Sequence, residues 1–251
     1  MTTILNAYQS TLNVLLRKPV RLWGLSLLCG LLTAIASIGF FGMPIVGIAL
    51  SIALELGMTQ IYLNHYKTGA TPDTSALFAA FQQGKFFRLV GGMAWMSLWV
   101  LIWCLIPIVG PVFAVIKTYT WRFTPYILLT DSSVKAVDAI KVSAEMTKGL
   151  RGKMFLAEFL IGVAYFLITL VLGLLSGIPY IGFLFAIVSF VFGILYSVLL
   201  PLFEGLMGAH FYCIAANPTS YQAATSGPSC PHCGARIKDG QTFCGTCGNK
   251  L

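Results

Sequence analysis

The sequence has little charge and few of the residues that catalysis uses. Only 10% of its 251 residues are charged, and it contains eight acidic residues and three histidines. About a quarter of the residues of a soluble domain are charged. The histidines are scattered, and no His-Glu-x-x-His, phosphate-loop or nucleophile-elbow pattern occurs. These absences argue against an enzyme, and we expect no catalytic residues.

The sequence is instead rich in long apolar stretches. Hydrophobic residues make up 57% of the chain, and its mean hydropathy is +0.84. A bilayer core of about 30 Å is crossed by about 20 helical residues, and a single crossing must be helical to satisfy its own backbone. The sequence therefore predicts an all-α integral membrane fold with six transmembrane helices, at about 22–41, 44–64, 87–106, 108–129, 154–176 and 180–203.

Each successive pair of predicted spans is joined by a short uncharged turn. The three turns share the pattern Pro-x-x-Gly, at Pro44–Gly47, Pro107–Gly110 and Pro179–Gly182. Proline ends a helix and glycine permits a tight turn, so each pair is predicted to be a helical hairpin. Three copies indicate either descent from a repeated hairpin or the general likeness of apolar hairpins.

The basic residues lie on one side of these hairpins. Fourteen of the sixteen cations flank the predicted spans on the side opposite the turns: Arg17, Lys18, Arg21, Lys67, Lys85, Arg88, Lys135, Lys141, Lys148, Arg151, Lys153, Arg236, Lys238 and Lys250. Lysine and arginine resist translocation, so this side is predicted to be cytoplasmic, with both termini inside. The net charge of +8 then suits an anionic inner leaflet better than nucleic acid.

Three amphipathic segments precede the hairpins, at about 4–15, 73–81 and 131–150. They are expected to lie in the membrane interface with their apolar sides down. The alternative is that they are the cytoplasmic ends of the spans, packed on neighbouring helices. Glu204 and His210 are expected at the same interface.

Four charges fall inside predicted spans. Glu55 and Lys117 each lie about 15 Å from a turn, at about 1.5 Å per residue, and so near the midplane. An isolated charge there is costly, so we expect these two to neutralise one another. Arg122 and Glu158 lie nearer the cytoplasm and are expected to pair or to extend to the interface. These charges are either structural pairs or part of a transport path.

The tail carries the strongest motif. Residues 215–229 are small and polar, as in a flexible tether that reaches about 20 Å. The following cysteines form the pattern Cys-x2-Cys-x10-Cys-x2-Cys, with Cys230, Cys233, Cys244 and Cys247 as predicted ligands. Four thiolates at this spacing indicate one structural zinc ion. Disulfides, which a reducing cytoplasm disfavours, and an iron site are the alternatives.

Two family resemblances cover most of the chain. Residues 230–251, with Phe243 before the second cysteine pair and the ending Gly-Asn-Lys-Leu, resemble the zinc ribbon. The stretches 56–63, 77–81, 125–128, 139–143, 146–149 and 153–155 together resemble the bacterial integral-membrane family called domain of unknown function 975, over about 1–213. That resemblance implies a membrane domain over 1–214 in a bacterial cytoplasmic membrane. The family has no established activity, so the resemblance suggests no reaction.

The sequence thus predicts a non-enzymatic polytopic membrane protein whose cytoplasmic zinc ribbon, 230–251, docks a protein partner or a second subunit. The alternative is a small-molecule or lipid transporter that uses a layer formed by Glu55 and Lys117.

Overall fold

A computed structural model describes residues 2–16, 20–39, 44–69, 72–81, 85–107 and 109–216. The chain divides into two units, 1–212 and 213–251. The described residues are helical and contain no strand. Their helices are α1 (Thr2–Leu16), α2 (Val20–Gly39), α3 (Pro44–Thr68), a 3-10 helix (Thr74–Phe81), α4 (Phe86–Cys104), α5 (Gly110–Thr120), α6 (Thr124–Thr130), α7 (Ala139–Met146), α8 (Arg151–Ser176) and α9 (Gly182–Ala216).

Helix α3 lies at the centre of the larger unit. It packs against α2, α4, α6 and the 3-10 helix, and its Leu54, Met58 and Ile61 belong to a cluster of buried apolar residues. Gly57 allows the closest of these contacts, because a Cβ atom there would lie 2.0 Å from the backbone oxygen of Leu77 in the 3-10 helix. A side chain at this position would therefore push the 3-10 helix away from α3.

Two of the Pro-x-x-Gly segments form turns with the same backbone hydrogen bonds. Gly110 donates to the carbonyl of Ile106 at 3.1 Å, and Gly182 donates to that of Ile178 at 2.8 Å, in each case four residues back along the chain. In both segments the residue before the glycine also donates to the proline carbonyl. Each glycine then begins the next helix, so only five residues, 105–109 and 177–181, connect the helices of each pair. The third segment differs, because Pro44 is already the first residue of α3.

Helices α8 and α9 carry the most exposed apolar surface. Tyr165 of α8 stacks on Tyr196 of α9 with ring centroids 3.8 Å apart. No residue in the most apolar stretch of either helix is buried. Soluble monomers rarely expose such a continuous apolar surface. It is compatible with insertion in a membrane.

Four helices are long and apolar enough to cross a bilayer: α3, α4, α8 and α9. A fifth crossing is counted if α1 and α2, whose axes differ by 98°, are taken as one bent span. Six spans therefore remain a prediction.

The expected span 108–129 is not one helix. The structure has α5 and α6 there, separated by a turn at 121–123. Pro125 lies in the first turn of α6, and its ring has no N–H to donate to the carbonyl of Trp121. That carbonyl instead accepts from Thr124, three residues on, at 3.0 Å. The break therefore leaves neighbouring backbone groups without their helical partners.

Helix α7 and Thr147, the residue that caps its end, supply those partners. The Ser143 hydroxyl accepts from the N–H of Phe123 at 3.1 Å and donates to the carbonyl of Thr120 at 3.2 Å. The Thr147 hydroxyl donates to the same carbonyl at 2.9 Å. All four residues are buried, where an unpaired backbone group is costly. These two hydroxyls thus stabilise the break.

We expect Ser143→Ala to lower the free energy of unfolding by about 1–3 kcal/mol, because it leaves the buried N–H of Phe123 unpaired. The measurement is denaturant unfolding in one detergent. Ser197→Ala is the matched control, since the Ser197 hydroxyl only bonds the Ile194 carbonyl of its own helix. We expect the control to change stability by less than about 0.5 kcal/mol. Equal losses in both variants would contradict the role of Ser143.

Candidate charged site at the helix break

The helix break places an arginine against a carboxylate. Arg122 lies in the turn itself, and its guanidinium donates to Glu158 of α8 at 2.8 Å. The Tyr119 hydroxyl donates to the other oxygen of Glu158 at 2.6 Å. The side chains of Arg122 and Glu158 are 27% and 18% exposed, so this ion pair is held largely away from solvent. We call these three residues and their charged neighbours the charged site.

The charge of Arg122 also acts on two further carboxylates, Glu55 of α3 and Glu204 of α9. Neither of these carboxylates forms a side-chain hydrogen bond or an ion pair within the residues that the structure describes. Glu158 is therefore the carboxylate that directly neutralises Arg122 in the described part of the chain.

Glu55 and Lys117 do not form the expected ion pair. The Lys117 ammonium lies over the indole rings of Trp103 and Trp121, 5.9 and 5.5 Å from their centroids. Similar depth did not bring the two charges together, because α3 packs on α4 and α6 whereas α5 packs on α4 and α8. The cation–π contacts give Lys117 a different form of stabilisation.

His210, which was expected at the membrane interface, is buried among other helices. Its Nδ1 atom lies 2.9 Å from the Ser10 hydroxyl of α1 and 2.8 Å from the Tyr66 hydroxyl of α3. The ring is fully buried and packs edge-on against Tyr66. His210 therefore joins three helices, which is a structural role.

The four predicted zinc ligands, Cys230, Cys233, Cys244 and Cys247, lie outside the described residues. Within the described residues no group of three or more His, Cys, Asp or Glu side chains could hold a metal ion. The tail's own donor set fits zinc, because four thiolates complete a closed tetrahedral site with no protein ligand from elsewhere.

The comparison with protein families agrees with that donor set. Residues 229–251 match the zinc-ribbon domain, and this match implies zinc binding by the tail. No curated protein and no solved structure matches the chain.

Arg122 and Glu158, which the sequence led us to expect either paired or extended to the interface, form an ion pair at 2.8 Å. Sequence reasoning missed the hydroxyls of Tyr119, Ser143 and Thr147. Tyr119 lies three residues before Arg122, and Ser143 and Thr147 lie four residues apart, which are spacings that bring side chains together on a helical backbone. Pro125, three residues after Arg122, was the one available sign of the break. Nothing in the sequence indicated which helix would complete the backbone there.

A double-mutant cycle tests the ion pair. We expect Glu158→Gln to lower stability by about 2–4 kcal/mol, because it leaves Arg122 largely buried and uncompensated. Arg122→Met in the Glu158→Gln background should cost much less than it does alone, which chemical unfolding in detergent would measure.

The surface pair Lys141 and Asp138, at 3.0 Å and well exposed, provides the control. We expect Asp138→Asn to cost no more than about 0.5 kcal/mol. Additive losses for Arg122 and Glu158 would show that the two charges are not coupled.

Proposed function

We propose that the chain is a non-enzymatic integral membrane protein that uses its zinc ribbon to dock a cytoplasmic protein partner or a second copy of itself. The ribbon match at 229–251, in a chain that otherwise consists of apolar helices, is the observation that carries this proposal. A structural zinc site has no open coordination position for chemistry, so binding is its natural use.

The length of α9 supports the membrane placement. Its 35 residues extend about 52 Å at about 1.5 Å per residue, well beyond a hydrocarbon core of about 30 Å. Its first two-thirds are largely exposed, while Leu206 to Tyr212 are buried among other helices. We therefore assign the exposed part to lipid and the buried part to a packed layer at the cytoplasmic face.

The basic flanks support an orientation with both termini in the cytoplasm. A reporter fused after Leu251 should read out from the cytoplasm, and a cysteine introduced at Gly42 should react with an impermeant thiol reagent added outside. Cys104→Ser removes an exposed native thiol and lowers the background. A reporter that faces outward, or a Gly42 cysteine that only reacts from within, would overturn the orientation and with it a cytoplasmic partner.

The bacterial membrane-family resemblance of residues 1–213 is part of this proposal, and it fits the all-helical larger unit. The family supplies a setting, the bacterial cytoplasmic membrane, and no reaction.

The ribbon should bind one zinc ion per chain and be required for partner capture. The 22 residues 230–251 are too few to fold on an apolar core, so metal binding must supply most of their folding free energy. We expect Cys233→Ser with Cys247→Ser to abolish zinc in elemental analysis of the purified chain. The same variant, and deletion of 217–251, should lose a partner cross-linked in the native membrane.

Cys213→Ser, which changes a cysteine outside the motif, is the matched control and should keep both zinc and partner. Membrane-fraction recovery should be unchanged in every variant. Capture that survives loss of zinc would contradict docking through the ribbon.

Transport is a second candidate, favoured by the charged site at the helix break. Interrupted helices that bring charges together line the binding sites of many transporters. Glu204, which has no ion-pair partner among the described residues and on which the charge of Arg122 acts, suits a proton or a cationic solute, in place of the expected layer of Glu55 and Lys117. Proton uptake by vesicles holding the chain without 217–251 would favour transport, provided that Glu204→Gln abolishes it.

A further inference from the structure

A second polar feature lies away from the charged site, between α3, α4, α6 and the 3-10 helix. It is a cavity of about 230 Å³ whose polar and charged lining comes from Gln60, Lys85, Arg88 and Ser132. Neither the ribbon nor the charged site uses it. Its volume is below the roughly 300–1,000 Å³ of pockets for drug-sized ligands, so a small polar group is the fitting occupant.

Arg88 brings a fixed positive charge to this cavity. Its guanidinium donates to the carbonyls of Leu128, Asp131 and Val134, the first and last at 3.0 and 2.8 Å. The Leu128 carbonyl lies in the last turn of α6, and those of Asp131 and Val134 lie after it, so Arg88 fixes the end of that helix. Among the residues that the structure describes, no carboxylate forms an ion pair with Arg88, so none of them neutralises its charge by contact.

Lys85 adds a second charge at the same place. Its side chain forms no hydrogen bond or ion pair with any residue that the structure describes. Helix α4 begins at Phe86 directly after Lys85, without a side-chain cap, so the positive end of its dipole lies beside the same cavity. The local field therefore favours an anion.

Asp131 is the acidic group nearest to these cations. The Ser133 hydroxyl and N–H donate to its carboxylate at 2.6 and 2.9 Å, and these bonds lower the pKa of Asp131. It is ionised at neutral pH and offsets part of the charge of Arg88. The carboxylate is directed to its own turn, so it does not occupy the cavity, and Lys85 keeps the lining positive.

Exposed phenylalanines lie beside the cavity. Phe78, Phe81, Phe86 and Phe87 form a continuous series of ring contacts, with centroids 6.3, 5.2 and 5.6 Å apart. Phe87 is 85% exposed. Ala79, within the same 3-10 helix as Phe78 and Phe81, lines the cavity itself. A phosphate-sized anionic site next to an apolar aromatic surface matches a molecule with a charged head and hydrocarbon chains.

We propose that this cavity binds the phosphate headgroup of an anionic phospholipid, with the acyl chains lying over the phenylalanines. Lys85 and Arg88 attract the phosphate, and Gln60 and Ser132 offer hydrogen bonds to its oxygens. Basic pockets between membrane helices on the cytoplasmic side take such lipids. The inference rests on the proposed membrane placement and on neither the ribbon nor the charged site.

The test counts lipids bound to the purified full chain by native mass spectrometry from mixed detergent micelles. Phosphatidylglycerol should bind more tightly than phosphatidylcholine. We expect Lys85→Gln to weaken phosphatidylglycerol binding about fivefold, the effect of one cation near a lipid headgroup. Lys85→Arg should keep the affinity, and Lys141→Gln, which makes the same change of net charge at an exposed lysine, should not change it.

Three results would overturn the proposal. Equal binding of phosphatidylglycerol by all variants would mean that the cavity is not the site. Displacement of the lipid by glycerol 3-phosphate at the lipid's own concentration would show that the site takes a free phosphate. If the chain resists carbonate extraction from membranes but binds neither lipid preferentially, the lipid site is refuted. The membrane placement would stand in that case. Failure of that extraction control would refute the placement instead.

Discussion

Completion of the backbone hydrogen bonds at residues 120–123 is the constraint on which the larger unit depends. A helix can break among apolar neighbours only when other groups pair with its freed N–H and carbonyl groups, and the hydroxyls of Ser143 and Thr147 do so. This pairing fixes α7 against the break and holds the turn in the position from which Arg122 meets Glu158. A change that releases α7 therefore disturbs the charged site without touching a charge.

The charges inside the helices are stabilised in different ways. Arg122 has a carboxylate partner, whereas Lys117 has the faces of two indole rings. Because Lys117 contacts these rings instead of Glu55, the positive charge that acts on Glu55 is that of Arg122. Polar groups are concentrated in the part of the bundle formed by α1, α7 and the end of α9, while the exposed lengths of α8 and α9 are apolar. A chain that contacts both lipid and water needs apolar side chains on its lipid-facing surface and polar side chains near water.

Helices and motifs that depend on the residues of one segment could be predicted from the sequence. Contacts between two separate segments could not be predicted from it. Apolar length gave α3, α4 and α8 to within a few residues, and it gave the start of α9 but not its end at Ala216. Cysteine spacing gave the zinc ribbon that the family comparison matches. The break at Trp121–Phe123 was missed because Lys117 and Arg122 were assigned to the interior of one continuous span, and its stability comes from groups on and next to α7. The pairing of Glu55 with Lys117 was wrong because depth along a helix does not specify which neighbour its side chain faces. Two of the three Pro-x-x-Gly segments form hydrogen-bonded turns, whereas their role as the tips of membrane hairpins stays a prediction.

The shortness of those two turns limits how antibodies and proteases can bind to them. With five residues between α4 and α5, and five between α8 and α9, neither connection offers an antibody epitope or a protease cleavage loop of useful size. Tyr180, fully exposed at the second tip with a positive φ of 69°, is the main side chain presented there. A tag inserted at either turn would therefore have to disturb the backbone hydrogen bonds that join the two helices.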